Sequence, residues 1–595
     1  MKMKKITALA IAFCLAAVTI VPGMQTGVAY AGEQQEASLE GDYAKDEILV
    51  VFEEDVNKKE AQEVVDQQDG KELTVLNTPQ EEVTGLVELP KKQDVEEAVA
   101  EYQKDPDVAY AQPNYKYKLA ESSAKTTSTT ASLNDSYRGS LWHLNTIQAK
   151  EAWDVLETKP AKKARVAVLD TGVDLGHPDL QANLLKNLCR DTSDGNIRSL
   201  TGDENGHGTH VTGIIGATAN NGAGVAGVAS GASNEFVEMF VVDIFRGEYA
   251  YTTDIIAGIE YAVESGAKVI NISAGYASPY ATIDDVFLEN AVNNAVNQGT
   301  TVVCAAGNDN NTVTNYPADF DACISVISTT SGNRRANTSN YGSAKDISAP
   351  GEAIFSTYRN GRYIEASGTS MASPVVAGTA ALLYAAEPGI SVNKVKYILY
   401  HSATDIYGRG WDSNSGYGIV NAYRAVSMQG GVYTVAYRLN GGKNSSLNST
   451  YYYGRLTLKN PTRRNYTFSG WYRNSNFTSR VYTLGGGNCT LYAKWKKVKV
   501  SRASIKSLKR RSARKAKVYY KKVSGAKGYQ IAYSTSRKFK KKQTKYKTTT
   551  SRSKTLTRLK KNRTYYVKVR AYKKDSTGKK VYGKYSKVKK VRLKR

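Results

Sequence analysis

At 595 residues the chain is too long for a single hydrophobic core, and length alone predicts about three to five domains. Its five cysteines are sparse and lack metal-ligand spacing, which excludes a disulfide-dense scaffold. The net charge of +27 averages over unlike parts, an acidic front with 23 acids and 9 bases in residues 32–120 and a basic tail with 40 bases and one acid, Asp575, in residues 496–595.

The chain opens Met1-Lys2-Met3-Lys4-Lys5, continues through an apolar run over 6–21, and reaches Ala29-Tyr30-Ala31 before Gly32. A basic start, an apolar middle and a small-residue cleavage site predict a secretory signal peptide over 1–31. The run is short for a membrane span. The acidic segment 32–121 is expected to fold over about 46–119, with a strand at 47–52 and an amphipathic helix at 94–102. Residues 122–135 are rich in Ser, Thr and Ala at first and are expected to form an exposed, cleavable linker.

The middle section, 136–428, alternates continuous apolar runs with helical spacing. The run 165–169 ends at Asp170, 268–272 ends at Ser273, and 300–304 leads to Ala305-Ala306-Gly307-Asn308, with a helix expected over 253–267. Such strands predict an α/β domain whose parallel sheet is covered by helices on both faces. Ligands in sheets of that kind bind outside the carboxyl ends of the strands, where these polar residues fall.

Three segments in this section carry chemistry: Val168-Leu169-Asp170-Thr171-Gly172, Gly206-His207-Gly208-Thr209-His210-Val211 and Gly368-Thr369-Ser370-Met371-Ala372-Ser373-Pro374. A serine hydroxyl needs a base to take its proton as it attacks. Of the five histidines, His143, His177, His207, His210 and His401, the glycine-flanked His207 suits that role best. His210 suits helix packing, and His177, before Pro178, suits a turn. Asp170 would hold the imidazole in one tautomer. A lone Asp-Thr-Gly also argues against an aspartic protease, which needs a pair of such loops. Ser370 is expected at the N-terminus of a buried helix running to about 386, where Pro374 denies the Ser370 carbonyl its intrahelical partner. The free N–H groups of that helix start suit an oxyanion, with Asn308 as a side-chain donor.

Read whole and in order, the three segments resemble those of the subtilisin-like serine proteases, the subtilases. The resemblance implies an endopeptidase with Asp170, His207 and Ser370 as its triad, Asn308 in the oxyanion hole, and no cofactor needed for the chemistry. It also implies that Ser273-Ala274-Gly275 and Ala305-Ala306-Gly307 wall the substrate pocket. Where most relatives continue with a second glycine this chain has Tyr276, a bulky neighbour for that pocket. Residues 46–119 are similar to the prosegments of the family, which implies an intramolecular inhibitor removed by cleavage near or within 117–135. Many relatives bind structural calcium. Asp179 matches a ligand position and Asn221 lies in the loop Asn220-Asn221-Gly222-Ala223-Gly224-Val225, residues that ordinary turn chemistry explains as well.

Four cysteines remain beyond the signal peptide, Cys189, Cys304, Cys323 and Cys489. Cys304 and Cys323 both fall in apolar runs, which leaves a bridge between them and a pair of buried thiols equally open. After Gly430 the texture changes to short Tyr-rich strands with Gly and Asn turns. Residues 432–495 resemble the small β-repeat of bacterial surface proteins of the internalin B type. Residues 498–595 resemble a fibronectin type III domain, with Tyr520 where tryptophan is usual and Leu559 and Tyr565 at tyrosine-corner spacing. The field of the basic tail suits anionic cell-wall polymers, acidic polysaccharides or extracellular nucleic acid held without sequence reading. The expected protein is a secreted, prosegment-activated endopeptidase retained at an anionic envelope, acting on protein or peptide substrates. A surface-binding protein with a relic protease fold is the rival. Loss of a triad residue would have favoured it, and none is lost.

Overall fold

Residues 42–594 are described in a computed structural model, apart from 54, 69, 77–81, 92, 120–132, 195 and 279–284. The signal-peptide expectation and most of the linker therefore lie outside the described residues. Two units emerge, one over 32–430 and one from Gly431 onward.

The first unit opens with a small module of β1 (Tyr43–Phe52), α1 (Lys58–Gln67), β2 (Glu72–Val75), β3 (Thr84–Glu88), α2 (Val95–Tyr102) and β4 (Val108–Leu119). The strands run antiparallel in the order β4-β1-β3-β2. Asn57 and Asp94 start the two helices by accepting backbone N–H groups of the first turn. Ala61, Val65, Ala98 and Tyr102 on the helices bury against Ile48, Val50 and Phe52 of β1. The expected strand at 47–52 and helix at 94–102 are thus present, and one core joins them.

The rest of this unit contains, in chain order, β5 (Ala164–Asp170), α3 (His207–Gly216), β6 (Val237–Asp243), β7 (Tyr249–Tyr251), α4 (Thr252–Glu264), β8 (Val269–Ile272), β9 (Ala274–Ser278), α5 (Val286–Asn297), β10 (Thr301–Ala305), β11 (Ile324–Thr329), β12 (Ile347–Pro350) and α6 (Thr369–Ala386). Six strands form a parallel sheet in the order β12-β11-β10-β8-β5-β6, extended past β6 by Arg190–Asp191. Every residue of β5 but Arg165, and all of β8, β10, β11 and β12, is buried, as continuous apolar runs predict for a covered sheet. The order reverses at β5, whose neighbours are β6 on one side and β8 on the other. Asp170 therefore ends the strand at the switch point, where a crevice opens.

Helix α6 has the length and apolar composition of a membrane span, yet it is buried from Thr369 through Ala385 inside the domain. It packs across β5, β8, β10, β11 and β12 as the central helix of the core. Pro374 lies inside it, and the Ser370 carbonyl that loses a helical N–H accepts the Ser273 hydroxyl instead, at 3.1 Å. The missing bond thereby ties the helix start to the end of β8.

Strand β4 continues beyond its own module. Lys116 and Tyr117 pair antiparallel with Tyr251 and Ala250 of β7, and Lys118 and Leu119 pair with Gly275 and Ala274 of β9. The front module thus lends one strand to the edges of the larger domain.

In the second unit, β13 (Val432–Arg438), β14 (Tyr466–Tyr472) and β15 (Cys489–Lys497) surround a small core of Val435, Tyr452, Trp471, Leu484 and Leu491. The parallel pairing of β13 with β15 closes the chain ends of this module together. Beyond it, a three-stranded sheet (Ile505–Ser512, Lys515–Tyr520, Ser553–Leu556) and a five-stranded sheet centred on Gly528–Ser534 and Thr564–Lys574 enclose a second core. Asp575, the one acid after Lys496, is buried and accepts the Arg464 guanidinium and the Asn465 N–H of the preceding module.

Candidate active site

Asp170 and His207 meet at the switch point. His207 Nδ1 donates to Asp170 Oδ1 at 2.6 Å, and neither side chain is exposed. The first turn of α3 reaches β5 only because Gly208 has no side chain. A Cβ there would stand 2.1 Å from the Gly172 carbonyl and 3.2 Å from Asp170 Oδ1. Gly206, at φ +102°, makes the left-handed turn into the helix.

Asp203, not singled out in the sequence, ties these two segments together. Its carboxylate accepts the Thr171 hydroxyl at 3.1 Å, the Gly206 N–H at 2.6 Å and the Thr209 N–H and hydroxyl at 2.9 and 2.6 Å. Thr171 in turn accepts the Gly208 N–H at 3.0 Å. Asp203 therefore caps α3 and holds it to the strand end that carries Asp170. The Asp-x-x-Gly spacing before His207 was the available signal.

The other histidines sit elsewhere in the fold. Burial pushes His210 down to about 3, and its Nε2 lies 3.1 and 3.2 Å from the Ile354 and Ile364 carbonyls, so it packs as a neutral donor. His143 is buried and pushed down to about 3 by the same cause. His177 Nδ1 accepts the Asp179 N–H at 3.2 Å, the turn role expected for it.

Ser370 lies in the first turn of α6, with its hydroxyl donating to the Ser273 carbonyl at 2.9 Å. Asn308 stands beside it through Thr369, whose N–H donates to Asn308 Oδ1 at 3.0 Å. That bond fixes the amide orientation and leaves Nδ2 buried without a hydrogen-bond partner among the described residues. A buried amide donor with no acceptor is costly unless an oxygen is to be placed there. Ser273 is further locked by Asn271, whose amide donates to its hydroxyl at 2.9 Å.

The two expected substrate walls fare differently. Ala274 and Gly275 pair with β4 as a strand would pair with substrate. Ala305 and Ala306 are fully buried, and no strand pairs with Ala305-Ala306-Gly307 on the β4 side among the described residues. Gly275 and Gly307 share one neighbour, Asn315: a Cβ on either would stand 2.2 Å from its amide. The ring of Tyr276 lies against Tyr115 and Tyr117 of β4, with centroids 6.3 and 6.0 Å away.

Asp179 is fully buried; it accepts the Asn221 amide at 2.6 Å and the Val225 N–H at 2.8 Å. Asp135, also fully buried, accepts the Asn220 and Asn221 N–H groups at 3.1 and 3.4 Å. Burial raises both carboxyls, Asp179 to about 6. No group of three or more His, Cys, Asp or Glu with metal-site geometry occurs among the described residues. Cys304 and Cys323 are buried free thiols with sulfurs 3.6 Å apart, beyond the roughly 2 Å of a bond.

The chain is similar to known protein families over three stretches. Residues 161–418 match the Subtilase family, 30–114 the Fervidolysin N-terminal prodomain, and 433–494 the Listeria-Bacteroides repeat domain. A thermophilic serine proteinase of Bacillus sp. (strain AK1) is 37% identical over 389 residues, covering 65% of this chain and 88% of that protein. Thermitase of Thermoactinomyces vulgaris is 41% identical over 283 residues, covering 47% of this chain and 93% of thermitase. The crystal structure of the epidermin leader peptide processing serine protease of Staphylococcus aureus superposes with a TM-score of 0.52 at 22% identity, over 64% of this chain and 98% of that one, a likeness of fold.

Proposed function

The chain belongs to the subtilase family of serine proteases, and we propose that it is a secreted endopeptidase, held inactive by its own prodomain, with Asp170, His207 and Ser370 as its triad. The buried 2.6 Å bond between Asp170 and His207 carries this reading. In it, Asp170 keeps the proton on Nδ1, so Nε2 is the basic nitrogen that takes the Ser370 proton as the hydroxyl attacks a peptide carbonyl. The developing oxyanion accepts from Asn308 Nδ2 and from backbone N–H at the start of α6. His207 returns the proton to the leaving amine, and water releases the acyl group. Before activation, β4 takes the substrate's place between β7 and β9. The purified chain should release residues up to about 121 and hydrolyse casein. A chain that stays full length and leaves casein intact overturns the reading.

The domain plan that fits is a signal peptide over 1–31, a prosegment over 32–121, a linker over 122–135, a peptidase over 136–428, an internalin-B-type repeat over 432–495 and a fibronectin type III-like domain over 498–595. Support for the last comes from the two facing sheets and from Tyr565, whose hydroxyl accepts the Lys560 N–H at 3.0 Å as a tyrosine corner requires.

Structural calcium fits the Asp179 loop. Two buried carboxylates, the Asn221 side chain and the carbonyls of a Gly-rich turn are the hard oxygen donors that cation favours. Calcium there would offset the mutual repulsion of Asp135 and Asp179 and tie the start of the domain to the loop. A hundredfold excess over Kd would add about 2.7 kcal/mol, so chelation should lower Tm by about 5 °C or more. Equal Tm in calcium and in EGTA, read on an inactive variant, sinks this assignment.

The basic tail is read as an anchor to anionic envelope polymers. Its one acid, Asp575, is committed to Arg464 and so leaves the outer face unneutralised. Binding of the full chain to teichoic-acid-bearing walls should be lost near 1 M salt, where screening acts within about 3 Å. Retention indifferent to salt rules it out.

A further inference from the structure

Strand β4 shows which side chains the cleft reads. Its register sets Tyr117 opposite Ala250, Lys118 opposite Gly275 and Leu119 opposite Ala274. A substrate strand in that register presents its next residue opposite Ser273, whose carbonyl accepts the Ser370 hydroxyl. The place held by Tyr117 therefore belongs to the residue three positions ahead of the attacked carbonyl.

Tyr117 is only 1% exposed there, so the place is a pocket and not a surface. Tyr276 closes one wall edge-on to the ring. At the floor, the Tyr117 hydroxyl donates to Asp285 Oδ2 at 2.7 Å, and Asp285 is itself 1% exposed. Four donors reach this carboxylate. Thr252 donates its hydroxyl to Oδ2 at 2.6 Å, and the Leu288 N–H reaches Oδ1 at 3.1 Å at the start of α5. Gln112 reaches Oδ1 at 3.1 Å.

Two of the four donors, Tyr117 and Gln112, leave with the prodomain, while Thr252 and Leu288 stay. The matured cleft then keeps a carboxylate, oriented by Thr252 and the start of α5, where the Tyr117 hydroxyl had lain. We propose that Asp285 is a specificity-determining residue that selects tyrosine three residues ahead of the scissile carbonyl by accepting its phenolic hydroxyl. A phenylalanine would fill the same walls but leave Asp285 Oδ2 with the Thr252 hydroxyl alone, short of the phenolic donor that Tyr117 supplies there. The proposal rests on the protease reading above and names the substrate feature that site prefers.

The test uses the full chain after maturation and two peptides, acetyl-Tyr-Lys-Leu-Ala-p-nitroanilide and its Phe-Lys-Leu-Ala counterpart. The first repeats the chain's own residues 117–120. The tyrosine peptide should have a kcat/KM at least about tenfold higher. Asp285→Asn, which keeps an acceptor and can still cap α5, should retain part of that preference. Asp285→Leu should bring the ratio to about one or below while still cleaving the phenylalanine peptide. Equal rates on the two peptides in the unaltered enzyme overturn the proposal without any variant. So does a preference that survives Asp285→Leu, or cleavage of casein with neither peptide cut. Loss of casein cleavage as well would instead fail the protease reading itself.

Discussion

Replacing Ser370 by alanine is expected to abolish both casein hydrolysis and release of the prodomain, with kcat falling by about 10⁶, the loss measured when subtilisin loses its serine. The reason is geometric. Ser370 stands at the start of α6, its carbonyl pinned by Ser273 and its neighbour Thr369 pinned by Asn308, so the hydroxyl that alanine removes is held at a fixed place. Asp170→Asn should cost about 10⁴, because an amide at the 2.6 Å contact presents the wrong group to Nδ1 and reverses the tautomer. Asn308→Ala should cost about 10²–10³ in kcat with little change in KM, since its Nδ2 meets only the charge that develops during reaction. Initial rates on a chromogenic peptide measure all three. An order in which Asn308→Ala is the most damaging would contradict the roles assigned. Residual cleavage by Ser370→Ala within a hundredfold of the parent would do the same.

Lys345→Ala is expected to be the most destabilising single change to the core. Lys345 is 1% exposed, and its ammonium contacts the Asp319 carboxylate, which also accepts the Asn315 N–H at 2.9 Å. Burial raises Asp319 and lowers Lys345, and each charge opposes the shift of the other. Removing the lysine strands a carboxylate away from water, a loss of about 3–5 kcal/mol, or roughly 10 °C in Tm. Replacing both partners by apolar residues should recover part of it. Thermal melts in a Ser370→Ala background avoid self-digestion, and a shift under 2 °C would refute the assignment. Because Asn315 touches both Gly275 and Gly307, the same lysine supports the gap between the two expected walls.

The sheet was legible because its strands are buried on both faces and read as unbroken apolar runs. Asp170, His207 and Ser370 were legible because each sits in a short segment whose small residues are dictated locally, as Gly208 against Asp170 shows. What escaped were residues whose partners lie far along the chain. Asp285 reads as an ordinary N-cap; only the pairing of β4 with β7 brings Tyr117, 168 residues away, onto it. Lys345 reads as a solvated loop lysine, and Asp135 as a turn residue. Tyr276 follows the Ser273-Ala274-Gly275 segment directly, yet its ring meets Tyr115 and Tyr117, which only the pairing of β4 with β9 brings to it. Local composition states what a residue can do, whereas sheet register decides what it meets.

The main-chain pairing of β4 with β7 and β9 bears on the targets the protein can attack. Departure of the prodomain leaves β7 and β9 each with an unpaired edge, and an edge accepts only chain that is itself unpaired. A folded target must first open a stretch several residues long, at the free energy of its local unfolding. Among proteins that offer the same cleavable sequence, the rate of digestion should therefore rise as the stability of the segment carrying it falls. The same rule makes the enzyme's own lifetime a measure of how rarely its loops open.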